Sequence, residues 1–202
     1  LALCYSCNYF FYELGDLLPL SAIDNTAKGL GLGEATGVEL TENIGHRANE
    51  ETKKMLYTGN KAGFYTGNVI LAAIGQDENK FSPLQLCVYA STLANQGKRM
   101  KATFLSRVVS ADYRSLISKS EPTVVDQLDI SPEAVTAYKE GMRMVCAERR
   151  GTAYKIFGNY PIEVSAKTGT AETGINNTSD NGAFICYAPS AQPRIAVSVY
   201  GE

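Results

Sequence analysis

Three segments near the end of the chain leave few choices for the fold. Pro161-Ile162-Glu163-Val164-Ser165-Ala166-Lys167-Thr168, Ala183-Phe184-Ile185-Cys186-Tyr187-Ala188 and Arg194-Ile195-Ala196-Val197-Ser198-Val199-Tyr200 alternate apolar with polar or small residues. Two is the side-chain period of a strand with one face buried. The polar run Asn176–Gly182 and Pro189-Ser190-Ala191-Gln192-Pro193 separate the segments, so they predict an antiparallel meander over 161–202. Upstream, over 1–150, the pattern is mainly helical. Ser82-Pro83-Leu84-Gln85 predicts an N-cap, a proline at N1 and a capping box, with Leu86, Tyr89 or Ala90, and Leu93 as the apolar stripe and Gly97 as the stop. Ser131-Pro132-Glu133 opens a second helix with Val135, Tyr138, Met142 and Val145 at helical spacing. Phe104–Val109 and Pro122–Gln127 read as short extended pieces. Helices followed by a meander predict an α+β fold, helices packed on an antiparallel sheet. No repeat or low-complexity segment divides the 202 residues, so one unit is expected.

Composition narrows the function by exclusion. Apolar residues make up 45% of the chain and charged residues 20%, enough for a sizeable core. A net charge of −2 without a basic cluster gives no attraction for nucleic acid or an anionic membrane. No apolar run approaches the roughly 18 residues of a membrane span. Cys4, Cys7, Cys87, Cys146 and Cys186 are odd in number and irregularly spaced, which argues for buried thiols over a disulfide scaffold. Cys4-x-x-Cys7 lacks the strand a redox motif needs and the second pair a zinc site needs; no metal or cofactor is expected. His46, the only histidine, is expected on a solvated loop and leaves no Ser-His-Asp triad unless it serves in one.

Several stretches admit two readings. Ser6 or Asn8 caps a helix over Tyr9–Leu18 that Pro19 stops; alternatively, a hydroxyl and an amide two residues apart enter one site. Gly29–Gly37 matches neither G-x-G-x-x-G nor a P-loop and reads as a tight turn. Thr41–Gly67 is polar and glycine-punctuated, a surface loop. Lys167-Thr168-Gly169-Thr170, expected at the end of the first strand of the meander, puts a cation and two hydroxyls beside a glycine that lets another backbone approach. Thr168 and Thr170 share one face, so this edge suits an extended peptide carboxylate. A lone lysine before a turn explains the triplet equally well.

Taken in order, these pieces resemble the transpeptidase domain of class B penicillin-binding proteins, whose signature elements include Lys-Thr-Gly. Tyr5-Ser6-Cys7-Asn8-Tyr9-Phe10 is similar to the Ser-x-Asn element. Gly31–Leu40 with Glu42 and Gly45 is similar to the linker after it. Ala73-Ile74-Gly75-Gln76, Phe81–Leu86 and Leu93–Gly97 resemble a family stretch of marked specificity. Gly141-Met142-Arg143 and Gly151-Thr152-Ala153 precede Ala166–Ala171, and Ala183–Pro189 matches the next strand, with Ala183 where a tryptophan is common. The resemblance implies an enzyme at the extracytoplasmic face of the bacterial cell membrane, anchored outside this segment. It would cross-link peptidoglycan stem peptides ending in D-Ala-D-Ala, bind β-lactams, and work with other cell-wall synthesis proteins. It gives Ser6 a proton relay, Asn8 a hold on the substrate amide, and Lys167 the electrostatics of the site. It gives Thr168 and Thr170, flanking Gly169, the substrate carboxylate, and the Thr170 N–H half of an oxyanion hole.

The departure is as informative. No serine here is followed three residues on by a lysine, although a serine of Ser-x-x-Lys is the family's nucleophile. With its non-methionine start, the chain is expected to be a partial domain. The N-terminal strands, the Ser-x-x-Lys helix and the C-terminal helix would be missing, and the chain alone would be inactive. A non-catalytic peptidoglycan-binding or scaffold domain of the same fold is the alternative.

Overall fold

The computed structural model describes residues 1–171 and 180–201. Glu172 and most of the predicted turn at Asn176–Gly182 lie outside them. Four helices come first: α1 (Asn8–Leu17), α2 (Leu20–Gly29), α3 (Glu50–Leu56) and α4 (Thr66–Ala73), with a 3-10 turn at Gly59–Ala62. Helix α5 (Pro83–Ala94), strands β1 (Lys98–Met100), β2 (Arg107–Val109), β3 (Leu116–Lys119) and β4 (Val124–Gln127), and helix α6 (Pro132–Ala147) follow. The short α7 (Tyr154–Phe157) leads to β5 (Ser165–Ala171), β6 (Asn181–Ala188) and β7 (Ile195–Gly201).

The meander forms as expected, antiparallel in the order β5-β6-β7. Its register places Lys167 opposite Ile185 and Gly169 opposite Ala183. Alternate residues of β6 enter two cores. Ile185 and Tyr187 pack with Ala90, Leu93 and Ala94 of α5 and Met142 of α6. Phe184 and Cys186 join Val145, Cys146, Ala153, Val164 and Ala166, and the Phe157 ring stacks on Phe184 at 5.7 Å. These two layers hold β5 in place. The two expected extended pieces contain β2 and β4, and each pairs with a strand that was not expected, β2 with β3 and β4 with β1, as two-stranded antiparallel ribbons.

Both helix starts read from local chemistry are present. Ser82 Oγ accepts from the Gln85 N–H at 3.2 Å while Gln85 Oε1 accepts from the Ser82 N–H at 3.0 Å. Ser131 accepts from the Ala134 N–H.

Other expectations are corrected. The N-cap of α1 is Cys7, with no side-chain cap from Ser6 or Asn8, and Pro19 is the N-cap of α2 after the first helix has ended at Leu17. Ser6 has φ +51°, outside the range from which an N-cap hydroxyl reaches back to the first turn. The segment Thr41–Gly67 is not all loop. Asn49 caps α3 by accepting from the Thr52 N–H at 2.9 Å, with Glu50 and Glu51 in the first turn and Lys53 and Lys54 in the last, the order that suits the helix dipole. His46 is half-buried, not solvated, and exchanges backbone hydrogen bonds with Lys80. Only glycine fits before it: at Gly45, φ +55°, a Cβ would fall 1.9 Å from the Lys80 carbonyl oxygen. In the glycine-rich turn, the N–H groups of Thr36 and Gly37 donate to the Glu42 carboxylate. All five cysteines are free thiols, Cys4 and Cys146 buried and the others half-buried.

Candidate active site

Strand β5 starts four residues later than the alternation indicated. Ile162, 46% exposed, precedes it, and burial begins at Val164, Ser165 and Ala166. Ser165 is buried because its hydroxyl donates to Ser190 Oγ at 2.9 Å, which offsets the cost of removing it from water. The shift moves Lys167, Thr168, Gly169 and Thr170 from the end of the strand into its body. Because β6 is the only partner of β5 among the described residues, they lie on an edge strand of the sheet.

Lys167 leans from this strand toward the start of α1. Its Nζ donates to Ser6 Oγ at 2.7 Å across 161 positions of sequence, and also to the Thr168 carbonyl. Burial alone pushes the Lys167 ammonium below the usual lysine value, since a low-dielectric setting disfavours the charged form. Ser6 meets it from a left-handed backbone that a non-glycine residue occupies at a cost of about 1–2 kcal/mol. Unusual backbone of this kind clusters where a side chain must be aimed. A partly desolvated amine against a hydroxyl is a proton-handling pair.

Thr168 Oγ1 lies 2.8 Å from Thr152 Oγ1, so the hydroxyl of the Lys-Thr-Gly element has a hydroxyl partner from the turn after α6. Thr170 shares its face by the strand period. At Gly169 a Cβ would meet nothing closer than Ala183 Cβ at 3.6 Å. Packing among the described residues therefore does not require a glycine there, and without a Cβ the edge leaves room for another backbone to approach.

Ser6, Lys167 and Thr168 are thus brought together, with Gly169 and Thr170 continuing the same edge. Asn8 sits exposed in the first turn of α1 and makes no hydrogen bond among those described. Two residues were not singled out from sequence as parts of the site. Thr152 supplies the second hydroxyl, and Gln76 donates from Nε2 to the Thr170 carbonyl at 3.1 Å. Both fall in stretches that carried the family resemblance, which was the available signal. Among the described residues no group of three or more His, Cys, Asp or Glu side chains is placed to hold a metal, and no helix is long and apolar enough to cross a membrane.

Comparison with known proteins identifies the family and the fold. The family model described as penicillin binding protein transpeptidase domain matches residues 1–201. Penicillin-binding protein 2B of Streptococcus pneumoniae is 30% identical over 178 residues, covering 84% of this chain and 24% of that protein. Peptidoglycan D,D-transpeptidase MrdA of Haemophilus influenzae is 28% identical over 217 residues, covering the whole chain and 32% of the relative. The chain therefore spans about a quarter to a third of the length of these relatives. Among solved structures, penicillin-binding protein 2B of S. pneumoniae superposes with a TM-score of 0.80 at 27% identity, over 98% of this chain and 34% of that one. Penicillin-binding protein PBP2 of Helicobacter pylori gives 0.79 at 25% identity, again over 98% of the chain and 34% of its counterpart.

Proposed function

The chain belongs to the penicillin-binding protein transpeptidase family, and we propose that it carries the Ser-x-Asn and Lys-Thr-Gly sides of a peptidoglycan D,D-transpeptidase site. The observation that carries this reading is the Lys167–Ser6 hydrogen bond at 2.7 Å. It joins the two motifs, far apart in sequence, into one proton-handling pair.

The roles are those the family resemblance implies, and the chemistry of the groups suits them. A stem peptide ending in D-Ala-D-Ala lies extended along the edge of β5, its terminal carboxylate on the Thr168 and Thr170 hydroxyls. Its reacting carbonyl takes the Thr170 N–H, which stabilises the developing oxyanion. The lowered affinity of Lys167 for its proton keeps Ser6 able to pass a proton to the departing D-alanine amine. Asn8 holds the substrate's amide. A β-lactam occupies the same edge through its own carboxylate. The attacking serine and its lysine come from a Ser-x-x-Lys element outside these 202 residues, so the chain by itself binds but is not acylated. The site works outside the cytoplasm, where peptidoglycan is cross-linked, beside other cell-wall synthesis proteins.

Intact mass after incubation with a β-lactam tests this, on the 202-residue chain and on one extended upstream of Leu1. The drug's mass on the longer protein alone is the expected result. Addition to the short chain would mean that a different residue here is the nucleophile. No addition to either would favour a non-catalytic peptidoglycan-binding domain of the same fold.

A further inference from the structure

The β2–β3 ribbon stands apart from both cores. None of its residues belongs to either hydrophobic cluster. No third strand pairs with it among the described residues, and β3 is exposed along its whole length. Two strands alone are marginal in water, yet this ribbon also presents Leu116, Ile117 and Tyr113 to solvent. Its register adds a second cost. Arg107 lies directly opposite Lys119, and like charges in that position repel. The chain offsets them only weakly. Arg107 has no ion pair among the described residues, and Lys119 Nζ is 3.7 Å from Glu121 with both side chains well exposed, where a pair contributes little.

The turn between the two strands brings a third cation round. Asp112 Oδ1 accepts from the Ser110 hydroxyl and from the Arg114 N–H at 3.1 Å. The Tyr113 N–H donates to the Ser110 carbonyl at 2.9 Å. Tyr113 is thereby held at φ +59°, a left-handed backbone that persists only where its surroundings fix it. Asp112 is the one acid over residues 104–120, and these bonds engage it in the turn. The result is a groove of about 570 Å³ lined by Arg107, Val109, Tyr113, Arg114, Leu116 and Lys119 with two serines. No acid lines it. The three cations are scattered in sequence and meet only in the fold.

Residues directly opposite each other share a face, as do residues two apart in one strand. Along the groove the order is therefore the Arg107–Lys119 pair, then Val109 with Leu116, then Tyr113 and Arg114 from the turn. An extended segment with acidic, apolar and acidic side chains at every second residue matches that order. We propose that the β2–β3 ribbon is a docking surface for an acidic, extended segment of a partner protein. One carboxylate meets Arg107 and Lys119, the other meets Arg114, and the apolar side chain between them lies on Val109, Leu116 and Tyr113. Charge complementarity assigns this occupant: three cations without a lining acid attract an anionic segment and turn away a basic one. A lipid surface reaches protruding cations, but not a groove in which apolar side chains sit between them. The occupant offsets both costs of the bare ribbon, the repulsion and the exposed apolar surface. The inference does not rest on the β5 edge.

The test is NMR titration of the amides of Val108, Val109 and Leu116–Lys119. The probe is the peptide acetyl-Glu-Ser-Leu-Ser-Glu-amide. Its control carries Gln for both Glu, and vesicles of phosphatidylglycerol and phosphatidylcholine form a lipid arm. The acidic peptide should shift these amides and bind about 10-fold more tightly than the control at low salt, a difference that shrinks toward about 1 M salt. Reversing both charges, Arg107→Glu with Lys119→Glu, should weaken the acidic peptide by about 10-fold and favour a version with Lys for both Glu. Lys119→Glu alone sets an opposite charge against Arg107, so the peptide should weaken while the Tm holds or rises. Affinity lost only together with Tm would overturn the inference. So would an acidic peptide that leaves these amides unmoved, equal binding of the Gln control, or a response to the vesicles alone, which would make the ribbon a lipid contact.

Discussion

Strand β5 is held by regular structure, whereas Ser6 and Gln76, the residues that meet it, stand on turns. Along β5 the backbone follows the sheet register, and Ala166 is fully buried in the cluster that includes Val145, Cys146 and Phe184. On the other side, positive φ angles at Ser6, Gly75 and Asp77 do the aiming, and polar contacts secure them. A strand edge can take its precision from a core because any apolar side chain of the right volume supports a strand. A turn has no core of its own and needs specific polar partners.

The largest expected effect is on the turn side. Lys53 is 9% exposed in its side chain and pairs with Asp77, 7% exposed, at 3.0 Å and with Glu78 at 3.2 Å. Burial by itself would lower the Lys53 pKa, but the hydrogen bonds and charges of Asp77 and Glu78 outweigh it and hold the ammonium above its usual value of 10.5. Lys53→Met strands these carboxylates and should cost about 3–5 kcal/mol, as breaking buried pairs does. Hydrogen exchange locates the loss. The amides of Gln76–Lys80 should open first, ahead of those of β5 and β6; uniform loss of protection would show that the two sides unfold together. The raised pKa also sets the sign with pH. The contribution of this pair is fully present below 10.5 and is lost as pH rises through the higher folded value.

Met142→Ala is the matching change on the strand side. Met142 is 3% exposed and belongs to the core under Ile185 and Tyr187, so truncation should cost about 2–4 kcal/mol in denaturant unfolding. Here protection should fall along β5 and β6, with the Gln76 turn following only on global unfolding.

Ser6 separates geometry from chemistry at smaller cost. Ser6→Gly relieves a left-handed backbone and Ser6→Ala does not, while both remove the hydroxyl from Lys167. The glycine variant should be the more stable by up to about 1 kcal/mol, and both should lose acylation in the longer protein. A glycine variant that keeps activity would show that the turn matters and the hydroxyl does not.

The two sides also differ in how far they could be read in advance. The meander, the helices α5 and α6 and their caps at Ser82 and Ser131 depend on neighbours within a few residues, so local pattern sufficed. The start of β5 was misplaced because Ile162 continues the alternation into solvent, and alternation alone does not say where burial begins. Asn49-Glu50-Glu51 followed by Lys53-Lys54 held a cap and dipole signal for α3, but the glycines around it dominated the reading. The meeting of Ser6 and Lys167 was expected only through the family resemblance. Nothing local encodes a contact across 161 positions. The bond from Gln76 to Thr170 was not expected at all. It depends on turn angles at Gly75 and Asp77 that many sequences can adopt and that only the surrounding polar contacts select.

The smallest effect bears on where the two sides meet. Lys167 keeps its ammonium against Ser6 with burial as the one resolved influence on its pKa, which lies below the usual 10.5. The sign follows directly. Over the interval between the lowered value and 10.5, the unfolded chain binds more protons than the folded one, so stability rises with pH. Below that interval the folded protein bears the cost of a buried ammonium, and above it the cost disappears. The difference in unfolding free energy between the protein and Lys167→Met should therefore shift in favour of the lysine as pH increases through the interval. Measured as paired denaturant curves, this difference cancels the titration of tyrosines and cysteines common to both. A flat difference would mean that the Ser6 hydroxyl and the Thr168 carbonyl solvate the ammonium as well as water does. In that case the turn side does more than aim Ser6: it also compensates for the burial that the strand side imposes on Lys167.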